Sequence, residues 1–137
     1  GGSEVSATPD ELPPKLAKFV PREKDDVRRA QQLINVGYPD NIAALPEIFS
    51  WLKDGNWPIA RPAAEYLSRM SWAVLPHVRA ILQSGETMWI YWVLTLVVRE
   101  FPQDLLVELA PLLRRLTESP SEAVAGRARE ILALAAD

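Results

Sequence analysis

The fold is indicated by a short stretch of sequence that occurs three times: Leu-Pro-Glu-Ile-Phe-Ser-Trp-Leu at residues 45–52, Leu-Pro-His-Val-Arg-Ala-Ile-Leu at residues 75–82, and Ala-Pro-Leu-Leu-Arg-Arg-Leu at residues 110–116. The copies begin about 30 to 35 residues apart. In each copy a proline marks a helix start, an apolar helix follows, an acidic residue lies in the next turn, and a second helix begins. The sequence therefore predicts three helical hairpins.

The second helix of each predicted hairpin is rich in small residues, which let neighbouring helices approach closely. This combination is similar to HEAT and armadillo repeats, in which a proline-marked first helix, an inter-helix acid and an alanine-rich second helix stack into a solenoid. We therefore expect an all-α fold, a HEAT/armadillo-like right-handed α-α superhelix of about seven helices. The predicted helices span residues 23–36, 41–53, 57–70, 74–83, 88–101, 103–117 and 121–135.

Local signals support these helix ends. Gly37, followed by Tyr38-Pro39, predicts the end of the first helix. Asn56 is the expected cap of the helix at 57–70, and Ser119, with Pro120 at the first helical position, is the expected cap of the last helix. The helix at 88–101 is apolar on every face, so we expect neighbouring helices to cover it on most sides.

Composition limits the class of protein. The chain has 137 residues, 48% of them hydrophobic and 24% charged, which is typical of one ordinary globular domain. We place that domain at residues 20–137 and interpret residues 1–19 as a tag remnant, Gly1-Gly2-Ser3, followed by an N-terminal extension. The absence of cysteine excludes thiol chemistry and disulfides, and it makes the cytoplasm the expected location.

Charge and hydropathy argue against two kinds of partner. A net charge of -3 gives no overall field that would attract a phosphate backbone, so nucleic acid is disfavoured. The most apolar stretch, residues 88–98, is about half the roughly 20 residues that a membrane-spanning helix needs. We therefore expect no membrane partner.

A family resemblance is carried by three stretches: Val-Pro-Arg-Glu-Lys-Asp-Asp at residues 20–26, Gly-Tyr-Pro at residues 37–39, and Trp-Leu-Lys-Asp-Gly-Asn-Trp-Pro-Ile-Ala at residues 51–60. The chain resembles, from about Val20 to Leu132, a mainly bacterial, uncharacterised family known as domain of unknown function 5071. Arg22 departs from the acidic residue expected there. The resemblance implies a compact HEAT-like helical fold and brings no established activity or site residues with it.

Asp54, Asn56 and Trp57 form the sharpest local motif, because a carboxylate, an amide and an indole in one tight turn could grip a ligand. The alternative is structural: an inter-helix acid bonds to turn amides and the tryptophan packs between hairpins. Glu86 and Trp89 occupy equivalent positions in the next hairpin, which favours the structural interpretation.

Other candidate residues for partner binding lie outside that motif. Trp72 falls in a loop-like segment, so we expect it to be partly exposed. Arg114 and Arg115, together with Arg127 and Arg129, could form a basic strip that meets phosphate or an acidic partner, although such strips are more often solvated faces. The lone histidine, His77, follows a proline in a first helical turn and has no second histidine or cysteine as a metal-binding companion.

The sequence favours a non-catalytic protein-interaction module with no cofactor, no metal and no catalytic residues, because a nucleophile constellation and a phosphate loop are both missing. Within that class we expect a bacterial immunity protein that neutralises a toxin, by analogy of size and charge. The alternatives are a nucleic-acid-binding HEAT-like protein, for which a clustered basic groove is needed, and a carboxylate-based small-ligand binder or hydrolase, for which a deep acidic pocket is needed.

Overall fold

A computed structural model describes residues 12–136 of the chain. The predicted tag remnant and residues 4–11 of the predicted N-terminal extension therefore lie outside the described residues. The helices are α1 (Pro14–Ala17), α2 (Val27–Val36), α3 (Leu45–Ser50), α4 (Ala60–Met70), α5 (Leu75–Leu82), α6 (Thr87–Leu96), α7 (Gln103–Leu116) and α8 (Glu122–Ala136). Short 3-10 segments cover Ile42–Ala44, Trp51–Lys53, Ser71–Val74 and Val98–Glu100. No residue from 12 to 136 lies in a β-strand, so the all-helical fold class is confirmed.

The chain divides into two compact units, one ending at Ala63 and the other beginning at Ala64, and the boundary falls within α4. In the first unit, α2 begins at Val27, four residues later than predicted. The reason is its cap: Asp26 accepts a hydrogen bond from the backbone N–H of Arg29 at 3.3 Å. Its other carboxylate oxygen accepts from the N–H of Arg22 at 3.3 Å, so residues 22–26 form a turn before the helix.

The end of α2 is as predicted. The helix stops at Val36, and Gly37 follows with a φ of 84°, which L side chains rarely adopt. Asn41, a buried polar residue, then donates from its side-chain amide to the carbonyl of Leu33 at 3.2 Å. This bond satisfies a group that would otherwise be costly to bury.

The helix α4 begins at Ala60, three residues later than expected, so the residue that flanks its start is Ile59 and not Asn56. The backbone N–H groups of Asn56 and Trp57 are already bonded to Asp54, so the chain turns there instead of starting a helix. The helix begins once this turn has closed, with the N–H of Ala60 donating to the carbonyl of Trp57 at 2.9 Å.

In the second unit, α5 packs against α6 and α7, and α8 packs against α6 and α7. The core consists of fully buried aliphatic side chains from each of these helices: Val78, Val93, Leu94, Leu105, Leu109, Leu113, Ala128 and Ile131. Residues spaced three or four apart, such as Leu105, Leu109 and Leu113, place one apolar stripe of α7 in this core.

Two of the three repeat prolines stand where the repeat predicts them, and one does not. Pro46 and Pro76 lie in the first two positions of α3 and α5, where the missing N–H costs nothing. Pro111 lies inside α7, because that helix already begins at Gln103. The carbonyl that has no N–H partner four residues later belongs to Val107, an exposed residue. The prediction that the proline of the third copy marks a helix start is therefore wrong.

The start of α8 differs by one residue from the predicted span of 121–135, and its cap differs by two. Its first residue is Glu122, and the hydroxyl of Ser121 accepts from the N–H of Val124 at 3.3 Å, so Ser121 is the cap. The hydroxyl of Ser119 instead accepts from the N–H of Ser121 at 3.0 Å and shapes the turn before the helix. Ser119 and Ser121, which flank Pro120, are equally suitable caps by chemistry, and the path of the chain before the helix decided between them.

Candidate protein-binding surface

The helix α6 is covered on fewer sides than its sequence predicts. Ile90, Val93 and Leu94 are buried. Met88, in contrast, is 59% exposed, and Tyr91 and Trp92 are only half-buried. A helix with apolar residues on every face has thus left one face open, and this open face is the starting point for the candidate site.

The open face of α6 continues onto α8. Residues 88, 92 and 95 are spaced by four and three, which places them along one face of α6, and Arg99 follows in the 3-10 segment Val98–Glu100. Residues 127, 130 and 134 do the same on α8. We call this set the α6–α8 surface; its members are Met88, Tyr91, Trp92, Thr95, Arg99, Arg127, Glu130 and Leu134. Leu134 is 40% exposed, so each helix contributes an apolar side chain to it.

Arg127 joins the two helices. Its Nε donates to the hydroxyl of Thr95 at 3.1 Å, and its Nη2 donates to the hydroxyl of Tyr91 at 3.2 Å. Its guanidinium carbon also lies 5.6 Å from the centre of the Tyr91 ring, within the range of a cation–π contact. Two hydrogen bonds and a cation–π contact therefore fix the position of this arginine.

Glu130 connects two arginines. One carboxylate oxygen accepts from Nη1 of Arg127, and the other lies 3.0 Å from Nη2 of Arg99. The side chain of Arg127 is 21% exposed, whereas those of Glu130 and Arg99 are about twice as exposed at 40% and 42%. The pairing is therefore partly screened by water, and its main effect is to orient the two guanidinium groups.

The hydrogen bonds change the titration of the cluster. The bond from Arg127, followed by one with Thr95, lowers the pKa of Tyr91. The bond to Tyr91, in turn, raises the pKa of Arg127. Arginine thus stays charged while it supports the tyrosine hydroxyl. The ring of Tyr91 also meets the ring of Trp92 edge-on, with centroids 5.0 Å apart.

Trp92 carries an unused donor. Its indole Nε1 is buried and has no hydrogen-bond acceptor among the described residues. An unpaired buried donor is uncommon and costs free energy. The α6–α8 surface presents apolar area from Met88 and Leu134, the rings of Tyr91 and Trp92, and oriented guanidinium donors.

The residues predicted as binding residues are divided among several elements. Asp54, Asn56 and Trp57 come together in one turn, where the Asp54 carboxylate accepts from the N–H of Asn56 at 2.9 Å and its carbonyl accepts from the N–H of Trp57 at 3.0 Å. This geometry is the turn-forming role that the structural interpretation describes. A ligand-binding role for the motif stays a prediction.

The other four predicted residues lie in three elements. Trp72 is 52% exposed in the 3-10 segment before α5, so its predicted exposure is confirmed. Glu86 is exposed and immediately precedes α6, where its carbonyl accepts the first helical bond. Arg114 and Arg115 are exposed in the last turn of α7. Their roles in binding stay predictions.

The predicted basic strip is divided between two surfaces. Arg114 borders a groove of about 480 Å³ between α7 and α8, together with Val107 and Leu132. Arg127 instead faces α6.

The half-buried His77, in the first turn of α5, has a pKa lowered by burial. Among residues 12–136, no three acidic or histidine side chains are grouped in a way that could hold a metal ion.

Sequence reasoning missed most of the α6–α8 surface. A signal was present in the spacing of Met88, Trp92 and Thr95, but an all-round apolar helix offers no contrast between faces. The sequence places Arg127 only in the predicted basic strip.

Each described helix is too short or too polar to serve as a membrane-spanning segment.

The fold and this surface define a class: an all-helical protein that displays an aromatic and arginine-bearing face on two adjacent helices. The chain belongs to the family described as domain of unknown function 5071, whose sequence profile matches residues 19–137. No curated protein matches the chain.

Proposed function

We propose that this chain is a non-catalytic protein-interaction module and that its partner contacts the α6–α8 surface. The observation that carries the proposal is the exposure of Met88 beside the Tyr91–Arg127 cluster. Methionine, tyrosine, tryptophan and arginine are the residue types that are enriched where proteins contact one another. An apolar side chain next to fixed polar groups supplies both contact area and direction.

The fixed positions of the polar groups support a role in binding a partner rather than exposure to water alone. Arg127 is held by Thr95, Tyr91 and Glu130 before any partner arrives. A side chain that is already fixed loses less conformational entropy on binding, so more of the contact energy appears as affinity. Arginine and tyrosine are also frequent among the residues whose loss weakens an interface most.

We further propose that the hairpins stack as HEAT-like repeats, in a right-handed superhelix. The contacts within the second unit support this arrangement. The two helices of each hairpin pack against each other, α5 against α6 and α7 against α8, and between hairpins α5 packs against α7 and α6 against α8. Stacked hairpins produce this alternation, with first helices in one layer and second helices in the other. A crystal structure with α6 and α8 in different layers would contradict the proposal.

The narrower expectation, a cytoplasmic immunity protein that neutralises a toxin, stays a prediction within this proposal. Its test is co-purification from the native host together with inspection of the neighbouring genes. A stoichiometric toxin encoded beside this chain supports it. Nucleic-acid binding remains the alternative, and retention of nucleic acid on a filter at low salt would favour it over a protein partner.

A pair of matched variants tests the α6–α8 surface. Met88→Glu places a charge on the surface, and Val107→Glu places the same charge on α7, where the exposure is closely similar at 55% against 59%. Both positions are exposed helix positions, so neither change should unfold the chain. We expect the immobilised wild-type chain and the Val107→Glu variant to retain the same host protein, and the Met88→Glu variant to lose it.

The partner retained by the wild-type chain is then purified, and its affinity is measured with each variant. Burying a new carboxylate without a partner charge should weaken binding by about tenfold or more. Equal affinity of Met88→Glu and wild type would show that the partner does not contact this surface. Failure to retain any host protein, with both variants folded, would contradict the interaction function itself.

A further inference from the structure

The first unit contains a small pocket that is separate from the α6–α8 surface. It lies between the segment that follows α1 and the first turns of α2, and its volume is about 230 Å³. This is the volume of about eight water molecules and is below that of a drug-sized site. The lining residues are Lys18, Phe19, Asp26, Arg28, Arg29 and Gln32.

Two of the charged lining residues are committed to each other. Nε of Arg29 lies 3.2 Å from the carboxylate of Asp26, and Nη1 of Arg29 donates to the carbonyl of Lys18 at 2.7 Å. These contacts fix one wall of the pocket and connect α2 to the chain before it. They also neutralise the charge of Asp26 with that of Arg29.

The remaining two cations are uncommitted in the sense that no carboxylate of the described residues pairs with them. Lys18 and Arg28 form no ion pair with any residue between 12 and 136. Nζ of Lys18 lies 5.1 Å from the centre of the Phe19 ring. With three cations and one carboxylate in the lining, the pocket keeps a formal charge of 3 − 1 = +2.

The donors in this pocket are side chains and not the start of α2. Asp26 already accepts from the N–H of Arg29 and caps the helix. The groups that can still donate are the Lys18 ammonium, the Arg28 guanidinium and the Gln32 amide. They border the same space as the Phe19 ring, which adds an apolar wall.

We propose that this pocket binds the phosphate monoester group of a small organic molecule. A phosphate monoester carries nearly two negative charges at neutral pH, which matches the two uncommitted cations. The planar fork of Arg28 suits two phosphate oxygens, and Lys18 supplies a compact second charge. The Phe19 ring contacts the carbon group that the phosphate esterifies, and the pocket volume limits that group to a few atoms or one ring.

The test uses phenyl phosphate and benzoate as probes of the full-length chain. Both carry one ring, but phenyl phosphate is nearly dianionic and benzoate is a monoanion. We expect phenyl phosphate, titrated at low salt, to shift the backbone amide resonances of residues 18–32 in a saturable way. Benzoate should bind the same site several-fold more weakly, because one negative charge leaves one cation unpaired.

Two arginine variants provide the comparison. Arg28→Ala should weaken phenyl phosphate binding by about tenfold, because it removes a charged hydrogen-bond donor. Arg61→Ala removes another exposed arginine, from α4 in the same unit and outside the pocket, and should leave the affinity unchanged. Circular dichroism of each variant checks that the fold is retained.

Three results would overturn the proposal: no saturable shift with phenyl phosphate, benzoate binding as tightly as phenyl phosphate, or equal weakening by Arg28→Ala and Arg61→Ala. The first result shows that there is no site. The second shows that the charge of +2 does not select the ligand. The third shows that binding of phenyl phosphate depends only on the net charge of the chain and not on this pocket. None of these outcomes depends on whether a protein contacts the α6–α8 surface.

Discussion

Trp51 and Trp92 differ in what their indole N–H groups meet. In Trp51, Nε1 donates to the carboxylate of Glu47 at 3.0 Å, and the side chain is buried. In Trp92, Nε1 is buried without an acceptor among the described residues. The sequence gives both residues the same chemistry, so only the surroundings separate a satisfied tryptophan from an unsatisfied one.

We predict that Trp92→Phe changes the free energy of unfolding by no more than about 0.5 kcal/mol, because the loss of ring area is offset by removal of an unpaired donor. Trp51→Phe should be destabilising by about 1 to 3 kcal/mol, since it removes a made hydrogen bond and buried ring volume together. Urea unfolding of both variants measures the difference. Equal destabilisation would mean that Trp92 has an acceptor in solution.

His77 gives a prediction for pH dependence. Burial lowers its pKa below the ordinary value of 6.5, so the folded chain binds a proton on this residue less readily than the unfolded chain. Its neutral form causes no loss of stability above pH 6.5. As the pH falls from 6.5 toward the folded pKa, the unfolded chain takes up the proton first, and the free energy of unfolding decreases.

The titration is easy to observe because the chain has one histidine. The imidazole proton resonance should report a pKa below 6.5, and His77→Asn should remove the part of the acid destabilisation that falls in that window. A folded pKa at or above 6.5 would contradict the burial of this side chain. The same variant leaves the carboxylates in place, so destabilisation at lower pH serves as the internal control.

At the scale of single elements, α2 shows how a cap sets a boundary. The sequence predicts this helix from residue 23, whereas the structure begins it at Val27, the first residue of its apolar stripe. Asp25 and Asp26 are adjacent and chemically identical, so the sequence did not distinguish them. The distinction is geometric: the carboxylate of Asp26 reaches the N–H of Arg29 three residues on.

We predict that Asp26→Ala lowers the free energy of unfolding by about 1 kcal/mol, the usual effect of losing a helix cap. The ion pair between Asp26 and Arg29 adds little, because both side chains are partly exposed. Asp25→Ala, at the neighbouring exposed position, should change the free energy by less than about 0.5 kcal/mol. Thermal unfolding of the two variants checks this, and equal midpoints would place the cap elsewhere.

The helix α6 shows the limit of sequence reasoning for an element. Its apolar residues on every face predicted a covered helix, but Met88 lies in the open. Hydrophobicity determines how much a side chain gains from burial, and it does not supply the neighbour that covers it. The candidate site on α6 and α8 was therefore largely hidden from the sequence.

At the scale of the whole molecule, the position of the core can be tested by one kind of substitution at two places. Leu113 is fully buried in α7, and Leu134 is 40% exposed in α8. Leu113→Ala should lower the free energy of unfolding by about 2 to 5 kcal/mol, through lost burial and the cavity left behind. Leu134→Ala should lower it by less than about 1 kcal/mol.

Unfolding of the chain by denaturant, monitored by circular dichroism, measures both changes in the free energy of unfolding. A small effect of Leu113→Ala would mean that α7 does not contribute its buried stripe to the core. A large effect of Leu134→Ala would mean that this side chain is buried in solution and does not belong to the α6–α8 surface.

The sequence by itself determined the helical class, the approximate span of each main helix and the end of α2 at Gly37. These features depend on residues close together in the chain: apolar spacing, prolines in first turns and a glycine with positive φ. It also located the turn at Asp54, whose bonds to the next residues are local.

The tertiary structure alone decided which side chains meet. Arg127 lies more than thirty residues from Tyr91 and Thr95 in sequence, and only the packing of α8 against α6 brings them together. The exposure of Met88 and the unpaired indole of Trp92 have the same origin. Local patterns fix the path of the backbone, whereas burial and long-range hydrogen bonds depend on which helices become neighbours.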